Sequence, residues 1–199
     1  MGSKYLKTIV ARVIGNNLYE SPHYQSGAFQ LNWSATWSFR MAGRTAQDID
    51  LYNWEQVFTT LPLRNLPEKS GKDIFFWDEW IEHPDYDEYW KALANDERYG
   101  DIEIPVLQIG GWYDFFTAGT FHNFVGMRER GGTRLARDNQ RAIIGPWIHS
   151  ASTLTHAGEV DFGGGSVLDL EQHELRWFDH WLKGIDNGAD ADIPLSIFV

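Results

Sequence analysis

Two residues in this chain have the type and the setting for proton transfer, Asp114 and His149. Each stands just past a short apolar run, IPVLQIGGWYD for the aspartate and RAIIGPWIHS for the histidine. Short apolar runs bounded by charges or proline read as buried strands. In open parallel sheets, chemistry gathers beyond the carboxyl ends of the strands. A carboxylate beside an imidazole holds one tautomer in place while the ring takes a proton. The pair therefore suits the orienter and general base of a nucleophilic hydrolase. The spacing of 35 residues leaves room for one helix between the two strands. A plainer account is also open: an aspartate capping the helix that begins at Thr117, and a histidine hydrogen-bonded in a loop.

Such chemistry needs a nucleophile. The chain has no cysteine, and no serine has glycine at both −2 and +2, as a G-x-S-x-G elbow requires. Ser166 has Gly164 before it but Leu168 after it, and it follows the histidine in the chain. His149, His156 and Asp161 are a possible loop set for a metal, and His173 and His180 share one helix seven residues apart. Neither has the i, i+4 histidine pairing of a zincin helix, so neither a metal nor a cofactor is expected. The run Gly163–Gly165 lacks the Lys-Ser/Thr ending of a phosphate loop.

The positioning elements come next. Tyr5–Val13 reads as a strand, Val106–Ile109 as a second, and Arg141–Gly145 as a third. Gly110-Gly111 is read as a tight turn. Thr117–Arg130 reads as a helix stopped by Gly131-Gly132, and 133–140 as a polar loop. Ser166–Lys183 is expected to be a helix. Ser166 and Asp169 would be its capping box, Leu168, Leu175, Phe178, Trp181 and Leu182 its buried stripe, and Gly184 its C-cap. Between the first two strands lies an aromatic-rich helical stretch. There Trp33, Trp37 and Met41 recur at i, i+4, i+8, which suits either core packing or a ligand wall. Further helical stretches are expected over Ala46–Phe58 and Tyr86–Leu93. The order strand, helical insert, strand, helix, strand, helix gives an α/β fold class with parallel pairing, the insert covering a sheet edge as a lid or cap. The expected divisions are 4–27 for a strand and the entry to the cap, 28–98 for the cap, and 99–186 for the segment with Asp114 and His149. Residues 187–199 are expected to be a polar linker and the first strand of a further domain.

The totals narrow the function classes. Thirty rings (10 Trp, 8 Tyr and 12 Phe) make 15% of the 199 residues. Rings that dense mean a ring-lined cavity, a sticky interface or a core of large side chains. Phe115 and Phe116 adjoin the aspartate and Trp147 adjoins the histidine, so these rings, with Trp33 and Trp37, are candidate pocket walls. A net charge of −11 argues against nucleic acid and anionic membrane surfaces as partners. No run of about 18 apolar residues exists to span a bilayer, and a cytoplasmic location is expected.

At GGWYDFF, GPWIHS and LRWFDHWLKGIDNG the chain resembles the CocE/NonD hydrolases, the family of cocaine esterase, α-amino-acid ester hydrolase and X-prolyl dipeptidyl peptidase. YQSGAFQLNW and HPDYDEYW resemble that family's cap region. The resemblance implies that the chain is the C-terminal part of an α/β-hydrolase sheet with an inserted helical cap, and that 187–199 are the linker and first strand of a C-terminal jelly roll. It also implies that Asp114 is the triad acid, His149 the triad base and Phe116 a pocket-lining aromatic. By the same resemblance the nucleophilic serine and the oxyanion-hole groups would precede Lys4, so these residues alone would be inactive. The expected partners are a small acyl ester, amide or short peptide, and a second copy of the chain or a complementing upstream segment. The competing class is a noncatalytic aromatic-rich binding module, with its rings in an exposed row.

Overall fold

The computed structural model describes residues 3–149 and 153–199, which fall into two compact units. One unit comprises the chain up to Asn16 and from Ala94 onward; the other is Asn17–Leu93. Ser150 of GPWIHS lies outside the described residues.

The first unit is built on a four-stranded, all-parallel sheet whose strands lie in chain order: β1 (Ile9–Arg12), β2 (Val106–Tyr113), β3 (Gln140–Ile148) and β4 (Leu195–Ile197). Alternation along β2 sends Leu107 and Ile109 into one apolar cluster and Val106 into another, so both faces of the strand are covered. Three expectations change here. β1 is four residues long, and most of Tyr5–Val13 lies outside it. β2 continues through Gly110-Gly111 instead of turning there. A Cβ on Gly111 would lie 2.2 Å from the Trp147 carbonyl oxygen, so the glycine serves the close approach of β2 to β3. Leu195–Ile197, expected to lead into a jelly roll, pairs with Ala142–Ile144 as the fourth strand of this sheet.

The Asn17–Leu93 unit starts eleven residues before the expected cap boundary, because Tyr19 and Tyr24 pack their rings into its core. Its helices are short: α1 (Leu31–Met41), α2 (Trp54–Phe58), α3 (Leu66–Lys69), α4 (Trp77–Glu82) and α5 (Glu88–Lys91). The helix expected from Ala46 begins only at Trp54, where the Asn53 side chain accepts from the Gln56 N–H. On α1 the buried face is Ser34, Ala35, Ser38 and Phe39. Small side chains there let the helix approach its neighbours closely. The tryptophan stripe is the outer face, with Trp37 39% and Met41 45% exposed. Trp77 and Trp90 supply the largest fully buried rings, and each indole N–H finds a carbonyl, of Leu63 and His83 respectively.

Two long helices flank the sheet of the first unit. Helix α6 (Thr117–Arg130) puts Met127 beside Val106 and Tyr99 on one face. The expected loop after it contains a short helix, α7 (Arg134–Asp138), with the Thr133 hydroxyl accepting from the Ala136 N–H. Helix α8 (Leu170–Lys183) covers the other face. It starts four residues later than expected. Asp169 is its N-cap, accepting from the Gln172 N–H at 3.1 Å, while the Ser166 hydroxyl donates to the Gly163 carbonyl. Leu175 and Leu182 are exposed; the stripe instead runs through Leu170 and Trp177 to Phe178 and Trp181. The Trp177 indole donates to the Thr8 hydroxyl at 2.7 Å, a polar anchor that apolar periodicity does not register. Gly184 ends α8 at φ 70°, the left-handed cap expected of it.

Candidate active site

Asp114 follows β2 and His149 follows β3. From Val106 to Gly111 the strands pair at a constant offset, ending at Gly111 opposite Gly145. The register then shifts, and Tyr113 lies opposite Ile148. Continued by one residue, the shifted register sets Asp114 against His149; the unshifted one would have set it against Ile148. A one-residue slip turns a side chain to the other face of a sheet. The irregularity at Pro146-Trp147 is therefore what brings the imidazole to the carboxylate.

The imidazole Nδ1 lies 3.2 Å from both Oδ1 and Oδ2 of Asp114. The two side chains differ in solvent access, with 1% of the Asp114 side chain and 43% of the His149 side chain exposed. Several bonds fix the carboxylate. The Asp114 N–H donates to the Gly111 carbonyl, and Oδ1 accepts from the Phe116 N–H at 2.9 Å. The Thr117 hydroxyl spans the carbonyls of Gly111 and Asp114. Asp114 does not cap α6, whose N-cap is Phe116 without a side-chain bond; one of its oxygens serves the preceding turn while both face the histidine. Nothing in the sequence pattern had singled out Thr117. Its only signal was a hydroxyl residue three positions after the aspartate, opening a helix.

Two rings hold the imidazole from the side. Phe115 stacks on it at 4.9 Å with the planes 18° apart, and Phe116 lies 5.7 Å away and tilted. The opposite ring nitrogen, Nε2, has no hydrogen-bond partner among the described residues. An imidazole held in this way, with one nitrogen committed and one available, has the geometry that proton transfer requires.

The other candidate residues divide. Trp147 is 5% exposed, lies in the core cluster with Trp177 and Leu107, and donates its indole N–H to the Ser166 carbonyl at 2.7 Å. It is a core residue rather than a pocket wall, because the strand irregularity turns it away from solvent. Trp33 and Trp37 belong to the Asn17–Leu93 unit, where they stack on each other at 5.8 Å. His156 and Asp161 face each other across a small hairpin. Among the described residues no three metal-ligating side chains converge. No helix among them is long and apolar enough to cross a membrane.

The chain is similar to several known proteins. The profile of the family described as X-Pro dipeptidyl-peptidase (S15 family) matches residues 1–151, a span that holds both Asp114 and His149. Cocaine esterase from Rhodococcus sp. (strain MB1 Bresler) is 27% identical over 216 aligned positions, covering 98% of this chain and 36% of that protein. An aminopeptidase from a marine sediment archaeon (Thaumarchaeota archaeon) superposes with a TM-score of 0.70 at 20% identity, over 92% of this chain and 32% of its own. An α-amino acid ester hydrolase superposes at 0.67 and 20% identity, over 98% of this chain and 33% of its own. The chain thus spans about a third of the length of these relatives, and the structural likeness places it in their fold.

Proposed function

The chain belongs to the X-Pro dipeptidyl-peptidase (S15) family, and from that premise we propose that Asp114 and His149 are the acid and base of a serine acyl hydrolase. The observation that carries the proposal is the Nδ1 contact of His149 with both Asp114 oxygens, which leaves Nε2 available. In this reading Nε2 removes the proton from a serine hydroxyl as its oxygen attacks the acyl carbon. The imidazolium then returns the proton to the leaving alcohol or amine, and an acyl-enzyme forms. Water repeats the cycle, giving the carboxylic acid and restoring the serine. Asp114 keeps the ring in the Nδ1–H tautomer and sets a negative charge beside it. Phe115 and Phe116 form the apolar wall next to the base. The serine comes from outside these 199 residues, and the chain alone is inactive. The substrate is a small acyl ester, an amide or a short peptide.

Nitrogen-15 spectra of the imidazoles test the pair directly. His149 should carry its neutral-state proton on Nδ1, and Asp114→Asn should shift that resonance. A His149 protonated on Nε2 at neutral pH would sink the assignment, since that nitrogen could not accept a proton.

A second reading draws on the stacked Trp33–Trp37 pair, whose outer ring is 39% exposed. Here the chain is a noncatalytic module that takes ligands on an aromatic platform. Titration with neutral sugars and with small acyl esters separates the two readings: sugar binding lost in Trp37→Ala would favour the module.

A further inference from the structure

The sheet unit has a concavity at the other end of β3 from His149. It is a cavity of about 460 Å³ lined by Arg141, Ile143, His173, Arg176, Trp177 and Asp192, among others. Ala142 on its wall is seven residues along the chain from His149, which at about 3.3 Å per residue is roughly 20 Å away. It is not an extension of the Asp114–His149 site.

Arg141 is its unusual member. The residue is 7% exposed, yet among the described residues its guanidinium makes no ion pair. One Nη donates to the carbonyls of Asp138 and Gln140 and the other to the Asp190 carbonyl, while Nε is buried without a partner. Burial works against its charge, and carbonyl dipoles alone compensate a buried cation poorly. The nearby acids are otherwise engaged. Asp192 is taken by both Nη atoms of Arg176, and the Asp190 carboxylate faces His180 Nε2 at 3.7 Å. The cavity thus presents two guanidiniums, a histidine and one carboxylate, beside the apolar surfaces of Leu107, Ile143 and Trp177. Its volume falls in the range of small-molecule sites, about 300–1,000 Å³. Guanidinium forks match carboxylate and phosphate oxygens in geometry as well as charge.

We infer that this cavity binds a small oxyanion, a carboxylate or phosphate group, carried on a compact apolar body. The anion completes the shell of Arg141, and the apolar body lies against Trp177.

Calorimetric titration of the whole chain with benzoate, benzamide and inorganic phosphate tests this. Benzoate should bind saturably and its neutral isostere benzamide at least tenfold more weakly. Phosphate binding alone would identify a phosphate as the source, and benzoate binding alone an organic carboxylate. Arg141→Met should weaken binding at least tenfold. Because Arg141 also holds three carbonyls, Ile193→Glu serves as the second variant. Ile193 lines the cavity and is 68% exposed, so a carboxylate there competes for the guanidiniums without disturbing the core. It should abolish benzoate binding with the circular dichroism unchanged. Failure of both anions to bind at millimolar concentration would overturn the inference. So would equal binding of benzamide, or affinity unaffected by Ile193→Glu.

Discussion

Single residues carry the two most local consequences. At Gly111 a methyl group would meet the Trp147 carbonyl at 2.2 Å, and a backbone atom in a paired strand cannot step aside. Gly111→Ala should cost about 3 kcal/mol of stability by overpacking and loosen the Asp114–His149 contact with it. Denaturant unfolding read beside the His149 resonance checks both effects together. His23 has a different consequence. It is 2% exposed, within 3.8 Å of the Trp80 ring centroid and 3.0 Å of the Ser34 hydroxyl, and burial pushes its pKa down to about 3. The folded state holds it neutral, whereas the unfolded chain protonates it near pH 6.5. Stability from this group is therefore intact above pH 6.5 and falls with pH until about pH 3, by about 2 kcal/mol at pH 5. His23→Gln should flatten that slope in unfolding measured from pH 7 to 5. An unchanged slope would mean that the imidazole is not buried as described.

At the scale of elements, the distinction between visible and hidden features has a consistent physical cause. Although α8 begins at Leu170 and not at Ser166, its Lys183 end and the helix over Thr117–Arg130 were legible, because the signals that mark them are local. Gly184, expected as a left-handed cap, is one. The function of Gly110-Gly111 was not legible, since the requirement for no Cβ comes from β3, more than thirty residues away. The shift at Pro146-Trp147 was hidden for the same reason. The chain predicts that Asp114 and His149 stand at strand ends, but only the paired strands show them opposite each other. On α1, large rings suggested the buried face, yet Ser34, Ala35 and Ser38 are the residues small enough to be packed against. One testable consequence belongs to α8. Asp169→Ala removes the N-cap and should destabilise the sheet unit by about 1 kcal/mol, whereas Ser166→Ala should leave the helix start intact. Helical ellipticity and unfolding midpoints of the two variants decide which residue is the cap.

At the scale of the whole molecule, the family, the parallel sheet and the Asp114–His149 contact support the proposed reading, a hydrolase of the S15 type. Strands β1 and β4 each pair on one side only in the described sheet, leaving backbone donors and acceptors along both edges. Light scattering of the isolated chain should therefore show self-association, and an upstream segment of this family that carries the serine should suppress it by pairing with an edge. A monodisperse monomer across micromolar concentrations would contradict that expectation. The most direct test is ester turnover by the chain combined with that segment, once light scattering shows that a complex has formed. A burst of p-nitrophenol from p-nitrophenyl acetate is expected, marking the acyl-enzyme. Asp114→Asn should lower turnover on the order of 10⁴-fold, and His149→Ala should abolish the burst. Turnover that survives both substitutions, or a folded complex with no turnover at all, would contradict the proposed reading.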